Sequence, residues 1–191
     1  MILTSQGVTD NASGFGLPKL SAELVIYAPS VTDQDVARAI HQSVSIGERL
    51  VSGYNGTSVT YDVDSDTLAQ TRTIEWSKPA EVTLNVTLDI VDDEGYAGDE
   101  VVKETVATYI GGTLPDGSPV AGLDVAEDVI VDELERRVNG LQGVVGVATV
   151  EIDSDGDGTN DTTTRGDGLV ALEIADNEVA TVDAVNDITV N

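Results

Sequence analysis

The chain has 191 residues and a formal net charge of −26, from 35 acidic and 9 basic side chains. This length suits one large domain or two small ones with a substantial apolar core. Because basic residues are so scarce, no patch of them can neutralise phosphates, which argues against nucleic acid as a partner. The lack of cysteine excludes disulfides and thiolate metal sites.

The acidic, lysine-poor composition indicates a protein of a halophile, and we expect a haloarchaeal source. Hydrophobic residues make up 40% of the chain and fall in regular patterns, which argues against disorder. Molar salt shortens the Debye length to about 3 Å, so that the acidic side chains no longer repel one another strongly. No apolar run approaches the ~20 residues of a membrane helix, and the first residues lack the features of a Sec-type signal peptide. We therefore expect a soluble protein with no membrane partner.

The first predicted elements are an arm, a strand and a helix. Residues 1–20, rich in Ser, Gly and Asn, are typical of an arm. The segment 22–28 (AELVIYA) predicts a short strand. A helix then begins with Thr32 as N-cap and Asp35 near the positive end of the helix dipole, and Gly47 ends it. Its buried stripe follows helical spacing: Val36, Ile40 and Val44.

Three strands follow. Segments 57–63 and 71–77 predict a pair around an acidic turn, with Ile74 and Trp76 on one face. The segment 81–91 (EVTLNVTLDIV) alternates between apolar and polar residues and predicts one long strand with a single buried face. Its apolar positions are Val82, Leu84, Val86, Leu88 and Ile90.

Two more helices are predicted in the second half. The segment 100–110 ends at the Gly111-Gly112 pair. The segment 124–139 has Asp124 as N-cap, Glu127 completing a capping box, and Gly140 as its end. The inward residues are Val102, Val106, Tyr109 and Ile110 in the first helix, and Ile130, Leu134, Val138 and Leu141 in the second. The expected ion pairs of the second helix are Asp132–Arg136 and Glu133–Arg137.

The remaining segments predict strands, of which the first two flank an acidic hairpin loop. They are 144–152, 169–175, 178–183 and 187–191. The order β-α-β-β followed by β-α-α-β-β-β predicts an α+β fold with two small lobes of mostly antiparallel sheet and packed helices. The expected organisation is an arm at 1–20, a first lobe at 21–79 and a second lobe at 80–191.

The segment 151–168 (EIDSDGDGTNDTTTRGDG) is a candidate metal site. Its aspartates alternate, and a glycine allows the sharp bend, as in the first half of a calcium loop. Position twelve from the first aspartate is Thr164, where an EF-hand has a bidentate Glu, and no helix is predicted to follow. The candidate ligands for Ca²⁺ or Mg²⁺ are Asp153, Asp155, Asp157 and Asp161. The alternative is a plain solvated hairpin turn in an acidic protein.

Other chemistry is not indicated by the sequence. His41 is the only histidine, which excludes a two-histidine zinc or iron site, and its place in a helix favours a surface or boundary role. No GxSxG, GxGxxG or Walker motif is present. Trp76 is expected to anchor a sheet face. We therefore expect neither catalytic nor cofactor-binding residues, and a protein that is not an enzyme.

Four blocks of the sequence, in order, resemble the C-terminal half of the baseplate J-like family, the wedge proteins of contractile phage tails and related injection systems. The blocks are ELVIYAPSVTDQDVARAI (23–40), TIEWSKPAEVTLNVTLDI (73–90), GLQGVVGVATVEI (140–152) and LEIADNEVATVDAVNDITV (172–190). The acidic segment 153–168 is longer than the hairpin that the family has at this place.

The resemblance implies a structural subunit of a tail baseplate, in a virus of a halophilic archaeon or a related injection system, made in the host cytoplasm. Wedge proteins of this family associate in a six-fold arrangement and relay the signal for sheath contraction. The implied partners are other baseplate subunits and copies of the chain itself. The last strand, 187–191, is a candidate for pairing with a sheet edge of another chain. The alternative function is a Ca²⁺-binding surface or adhesion module that uses the loop from Asp153 to Asp161.

Overall fold

A computed structural model describes residues 2–5, 17, 21–44, 49–64, 71–164 and 168–191. The fold is α+β, as the sequence predicts, with small and mostly antiparallel sheets. The chain divides into two compact units, unit 1 at residues 1–80 and unit 2 at 81–191. The predicted arm lies outside the described residues apart from Ile2–Ser5 and Leu17.

Unit 1 contains two small sheets and one helix within its described part. Its elements are β1 (Ile2–Ser5), β2 (Ser21–Leu24), α1 (Asp33–Ser43), β3 (Leu50–Val51), β4 (Thr57–Asp64) and β5 (Thr71–Lys78). One sheet has the order β1-β2-β3, and β4 and β5 form the predicted antiparallel pair, with Thr57 opposite Lys78. Helix α1 packs against β4 and β5. A parallel bridge from Val25 to Ser77 links the end of β2 to β5.

Helix α1 begins as predicted and ends early. The Thr32 hydroxyl accepts a hydrogen bond from the Asp35 N–H (3.2 Å) and donates to the Asp35 carboxylate (2.7 Å). The last helical residue is Ser43, because Val44 takes an extended backbone conformation. The predicted end at Gly47 is therefore wrong, and Gly47 itself lies outside the described residues. Serine and β-branched valine are weak helix formers, which accounts for the earlier end.

The core of unit 1 lies between α1 and the β4–β5 pair. Ile74 and Trp76 are each 1% exposed, which confirms the predicted buried face and the role of Trp76 as its anchor. Val36 and Ile40 of α1 are buried with them, and the partly buried Val44 packs against the same cluster. The predicted helical stripe is therefore confirmed for Val36 and Ile40, whereas Val44 lies beyond the helix and is only partly buried.

Unit 2 contains three sheets and two helices within its described part. Its elements, of which the first begins at the last residue of unit 1, are β6 (Ala80–Thr83), β7 (Asn85–Asp92), α2 (Asp99–Ile110), β8 (Gly112–Thr113), β9 (Pro119–Val120), β10 (Val129–Ile130), α3 (Val131–Asn139), β11 (Val144–Asp153), β12 (Thr163–Thr164), β13 (Val170–Leu172), β14 (Glu178–Asp183) and β15 (Ile188–Val190). The sheet orders are β11-β7-β15, β6-β14-β8-β9 and β10-β13-β12. The predicted inward residues of α2 are all buried: Val102, Val106, Tyr109 and Ile110.

The prediction of one long strand at 81–91 is wrong, because the chain changes sheets at Leu84. The Leu84 N–H donates to the Thr181 carbonyl (2.9 Å), and the Val86 N–H donates to the Asp187 carbonyl (2.7 Å). Strand β6 therefore belongs to the sheet of β14, and β7 to the sheet of β15. The buried face survives the break, since Leu84, Val86 and Leu88 are at most 1% exposed. The alternation of apolar and polar residues specifies which face of a strand is buried, but it does not determine which strand is its hydrogen-bonded partner.

The predicted helix over 124–139 begins only at Val131. Half of the predicted capping box forms, since the Glu127 carboxylate accepts a hydrogen bond from the Asp124 N–H (2.9 Å). The chain does not continue as a helix there, because Val129 and Ile130 pair with β13. A run of β-branched residues favours this strand over helical propagation. Gly140 ends α3 as predicted.

The ion pairs of α3 differ in part from the prediction. Glu133 accepts from Arg137 as expected (2.7 Å), and it also accepts from Arg136 (2.6 Å). Arg136 therefore pairs one turn back with Glu133, and the predicted Asp132–Arg136 pair is wrong. The i,i+3 spacing allows this arrangement as readily as i,i+4.

The hairpin predicted around the acidic loop is also wrong. Strand β11 pairs antiparallel with β7 from Val144, opposite Asp92, to Asp153, opposite Asn85. Strand β13 pairs instead with β10 and β12. The acidic segment therefore connects two different sheets. The last strand, β15, pairs in parallel with β7 and forms one edge of its sheet.

Candidate functional site

The acidic loop begins where β11 leaves the sheet and is closed by hydrogen bonds across its base. The Asp161 N–H donates to the Ile152 carbonyl (2.8 Å). The Asp161 carboxylate in turn accepts from the Ser154 N–H (2.8 Å) and the Ser154 hydroxyl (2.6 Å). These contacts bring the two ends of the loop together and place Asp161 beside Asp153.

Asp153 organises the interior of the loop. One carboxylate oxygen accepts from the Asp155 N–H (3.1 Å) and the Gly156 N–H (2.7 Å), and the other from the Gly158 N–H (2.9 Å). The bond from Gly158, followed by the other backbone bonds, holds the pKa of Asp153 below its ordinary value. Asp153 therefore stays ionised in acid that would protonate an ordinary aspartate.

Three of the four predicted ligands come together. Single carboxylate oxygens of Asp153, Asp155 and Asp161 lie within 4.8 Å of one another. Asp157 is not part of this group, and its carboxylate accepts from the Thr159 N–H (2.8 Å) and the Thr159 hydroxyl (2.5 Å). Thr164, at the twelfth position, lies in strand β12.

This arrangement has the chemistry of a site for a hard cation. Carboxylate oxygens are the ligands that Ca²⁺ and Mg²⁺ prefer, and Ca²⁺ takes 6–8 oxygen ligands. The three aspartates supply up to half of such a shell, and backbone carbonyls and water are the usual remainder. Asp153 and Asp161 are half-buried, whereas Asp155 is exposed. The cluster could therefore hold a metal ion at the surface of unit 2.

A second feature of unit 2 is an open cleft of about 440 Å³ between α2, α3 and the loop at 121–123. The Arg137 guanidinium lies over the Tyr109 ring, 4.8 Å from its centroid. The Tyr109 hydroxyl accepts from the Ile130 N–H (3.0 Å) and donates to the Ile130 carbonyl (3.3 Å). Burial raises the pKa of Tyr109. The acidic Glu127 and Glu133 also line the cleft, so its wall carries both signs of charge.

The most buried acidic group of the described residues is Glu23 in β2, which the sequence patterns do not single out. Its side chain is 0% exposed, and its carboxylate accepts four hydrogen bonds in unit 1. One oxygen accepts from the Tyr54 N–H (3.0 Å), the Asn55 N–H (3.2 Å) and the Ser77 hydroxyl (2.5 Å). The other accepts from the Asn55 side-chain amide (2.7 Å). A glutamate inside the apolar segment AELVIYA was the available signal.

The other residue singled out for its chemistry, His41, lies in α1. It is half-buried, and its Nδ1 is buried without a hydrogen-bond partner among the described residues.

Comparison of the sequence with models of protein families and with curated proteins finds no match. Over the described residues, no helix combines the length and apolar character required to cross a membrane.

Proposed function

We propose that the chain is a structural subunit of a contractile-tail-like baseplate, a wedge protein that contacts other baseplate subunits and copies of itself. In this role it would help relay the signal for sheath contraction, and it would act by contact without catalysing a reaction. The proposal starts from the ordered resemblance to the baseplate J-like family. The arrangement of the described residues adds physical support.

The resembling blocks coincide with the elements that form the two cores. The first block contains the second half of β2 and most of α1, and the second runs from β5 through β6 into β7. The third begins at Gly140, directly after α3, and contains most of β11, and the fourth runs from the end of β13 to β15. The resemblance therefore follows the folded framework of both units, which supports a shared architecture.

The observation that carries an assembly role is a pair of exposed valines on the sheet β11-β7-β15. Val91 of β7 is 52% exposed and Val145 of β11 is 65% exposed. They occupy adjoining positions, since Val91 lies opposite Gly146 and Asp92 lies opposite Val144. Large apolar side chains exposed together on a chain of charge −26 favour a surface that contacts another protein.

Imaging of purified particles by electron microscopy tests the assignment. We expect density for this chain in the ring at the distal end of the tail. Particles that contain the chain at another location, or a purified ring that lacks it, would refute the proposal.

A surface variant tests the valine pair directly. Val145→Asp should retain the fold by circular dichroism and fail to enter the baseplate, because burying an unpaired carboxylate in a protein contact is strongly unfavourable. Val31→Asp is the matched control, since Val31 is a 48% exposed valine of unit 1. Normal incorporation of Val145→Asp would contradict the proposed contact surface.

As a second function, we propose that Asp153, Asp155 and Asp161 bind Ca²⁺ or Mg²⁺, as a surface or adhesion module would. The cluster of three carboxylate oxygens within 4.8 Å supports this proposal. Calorimetric titration of CaCl₂ and MgCl₂ in molar KCl should give a binding signal for the wild type. Asp161→Asn should abolish it, and Asp157→Asn, outside the cluster, should leave it unchanged. Equal signals from the two variants, or no heat for the wild type, would refute the proposed site.

A further inference from the structure

Asn55 and Gly56 form an Asn-Gly step, the peptide sequence most prone to spontaneous deamidation, and asparagine is among the thermolabile residues. In this reaction the Gly56 backbone nitrogen loses its proton to a base from solvent and attacks the side-chain carbonyl carbon of Asn55. A carbon–nitrogen bond forms, the bond to the side-chain nitrogen breaks, and ammonia leaves. Water then opens the cyclic imide to give aspartate or isoaspartate.

The fold requires glycine at position 56, so it cannot avoid this step by a bulkier neighbour. A Cβ on Gly56 would lie 2.3 Å from the Lys78 carbonyl oxygen, much closer than real contacts allow. Both residues belong to unit 1, at the start of the β4–β5 pair. The reactive sequence is therefore a consequence of the tight approach between the loop and β5.

Glu23 immobilises the group that would react. Its carboxylate binds the Asn55 side-chain amide (2.7 Å) through one oxygen and the Asn55 backbone N–H (3.2 Å) through the other. Cyclisation requires the side-chain carbonyl carbon to reach bonding distance of the Gly56 nitrogen, and the hydrogen bonds to Glu23 oppose this motion. The Ser77 hydroxyl strengthens the arrangement, because it donates to Glu23 (2.5 Å) and accepts from the Gly53 N–H (2.8 Å).

We propose that Asn55 is a latent deamidation site that Glu23 keeps unreactive in the folded protein. Conversion then requires local opening of the loop at 53–56, and its rate follows the population of the open state. Once Asn55 has become aspartate or isoaspartate, the loop can no longer close in its original arrangement. An aspartate at position 55 would place a second carboxylate against the buried one, where the present oxygen–nitrogen distance is 2.7 Å.

The chain contains an internal reference, the Asn139-Gly140 step at the end of α3 in unit 2. There the Gly140 N–H donates to the Arg137 carbonyl (3.2 Å), which restrains the attacking nitrogen by a contact that does not involve Glu23. A change at Glu23 should therefore alter the rate at Asn55 and leave the rate at Asn139 unchanged.

The experiment follows deamidation of both steps by peptide mass spectrometry after incubation at mildly alkaline pH in molar KCl. In the folded wild type, Asn55 should convert about a hundredfold more slowly than in the free peptide 51–59 (VSGYNGTSV), as expected if conversion requires Asn55 to break its own two charge-assisted hydrogen bonds to Glu23. In the Glu23→Gln variant, the ratio of the rate in the free peptide to the rate in the folded protein should fall by about tenfold or more. The Glu75→Gln variant, with the same charge change on β5, should not.

Two results would overturn the proposal. One is an equal or higher rate at Asn55 in the folded wild type than in the free peptide, a result that needs no variant to fold. The other is a Glu23→Gln variant that accelerates both Asn-Gly steps equally, because this would indicate general unfolding and no local protection.

Discussion

Replacing Glu23 with glutamine tests whether the hydrogen bonds of its carboxylate outweigh the cost of burying its charge. The side chain is fully buried, and all four of its hydrogen-bond donors are neutral groups: two backbone N–H groups, a hydroxyl and an amide. Charged groups without a cationic partner are expensive to bury. The sign of the change in stability therefore reveals which effect is larger.

The hydrogen bonds predict that the variant is less stable. Three donors converge on one oxygen, which glutamine can retain as a neutral acceptor. Hydrogen bonds to charged groups contribute about 1.5–3 kcal/mol net, and neutral ones about 0.5–1.5 kcal/mol, so each of the three loses about 1 kcal/mol. In the fourth contact, the NH₂ group of the glutamine would face the NH₂ group of the Asn55 side chain. Two donors would then meet unless the Asn55 amide flips. We expect a loss of about 3 kcal/mol in the free energy of unfolding of unit 1.

Urea titration in constant molar KCl measures this difference without changing the ionic strength. Trp76 is the only tryptophan and lies in the core of unit 1, so its fluorescence reports the unfolding of that unit. Glu75→Gln is the control, because it changes the net charge equally at a half-buried position of β5. Linear extrapolation then gives the two free energies. A Glu23→Gln variant as stable as Glu75→Gln, or more stable, would show that charge burial dominates and would refute the reasoning.

Four further predictions concern other parts of the chain. Asn55→Asp should lower the stability of unit 1 by ~3 kcal/mol or more in the same urea titration, through repulsion between buried carboxylates. Asn85→Asp, at an exposed position of unit 2, should have little effect in a urea titration followed by circular dichroism. Gly143→Ala should lower the free energy of unfolding of unit 2 by about 2–4 kcal/mol, because φ is 78° and the added Cβ would lie 2.2 Å from a backbone nitrogen. Urea titration followed by circular dichroism measures this change. Gly146→Ala, with open space around its Cβ, is the control. The folded-state pKa of Asp153 is lowered from 3.8, so the ionised Asp153 should contribute its full stabilisation above that value and lose it as the pH falls through the lower folded-state pKa. The free energies of unfolding of the wild type and of Asp153→Asn should therefore converge in acid. Lowering KCl from molar to ~0.1 M lengthens the Debye length to about 10 Å and should loosen the fold; an unchanged circular dichroism spectrum would contradict this.

Local patterns predicted the faces of the elements more reliably than their partners. The positions of Val36, Ile74 and Val102 on buried faces follow from spacing alone, because helical and strand periodicities fix which side chains point together. The break at Leu84 could not be predicted in this way. The alternation continues unchanged through it, while the hydrogen-bond partner changes from Thr181 to Asp187, far along the chain.

The candidate metal site was predictable because its residues are adjacent in sequence. Three of the four predicted aspartates come together in one loop, and the exclusion of Asp157 depends on a local bond to Thr159 that the aspartate spacing does not reveal. The Glu23 site could not be assembled from the sequence, since its donors come from segments about 30 and 54 residues away. Only the anomaly of a glutamate among apolar residues was visible.

These sites share one feature: neutral hydrogen-bond donors, and not lysine or arginine, stabilise the carboxylates. Only four ion pairs occur within the described residues, although the chain has 35 acidic side chains. Glu23 is held by amides and a hydroxyl, Asp153 by backbone N–H groups, and Asp89 by Thr149 and Asn191. Such bonds do not depend on a scarce lysine or arginine, and salt screens them less than it screens exposed ion pairs. Molar salt can therefore remove the repulsion between surface carboxylates and leave intact the contacts that fix these loops.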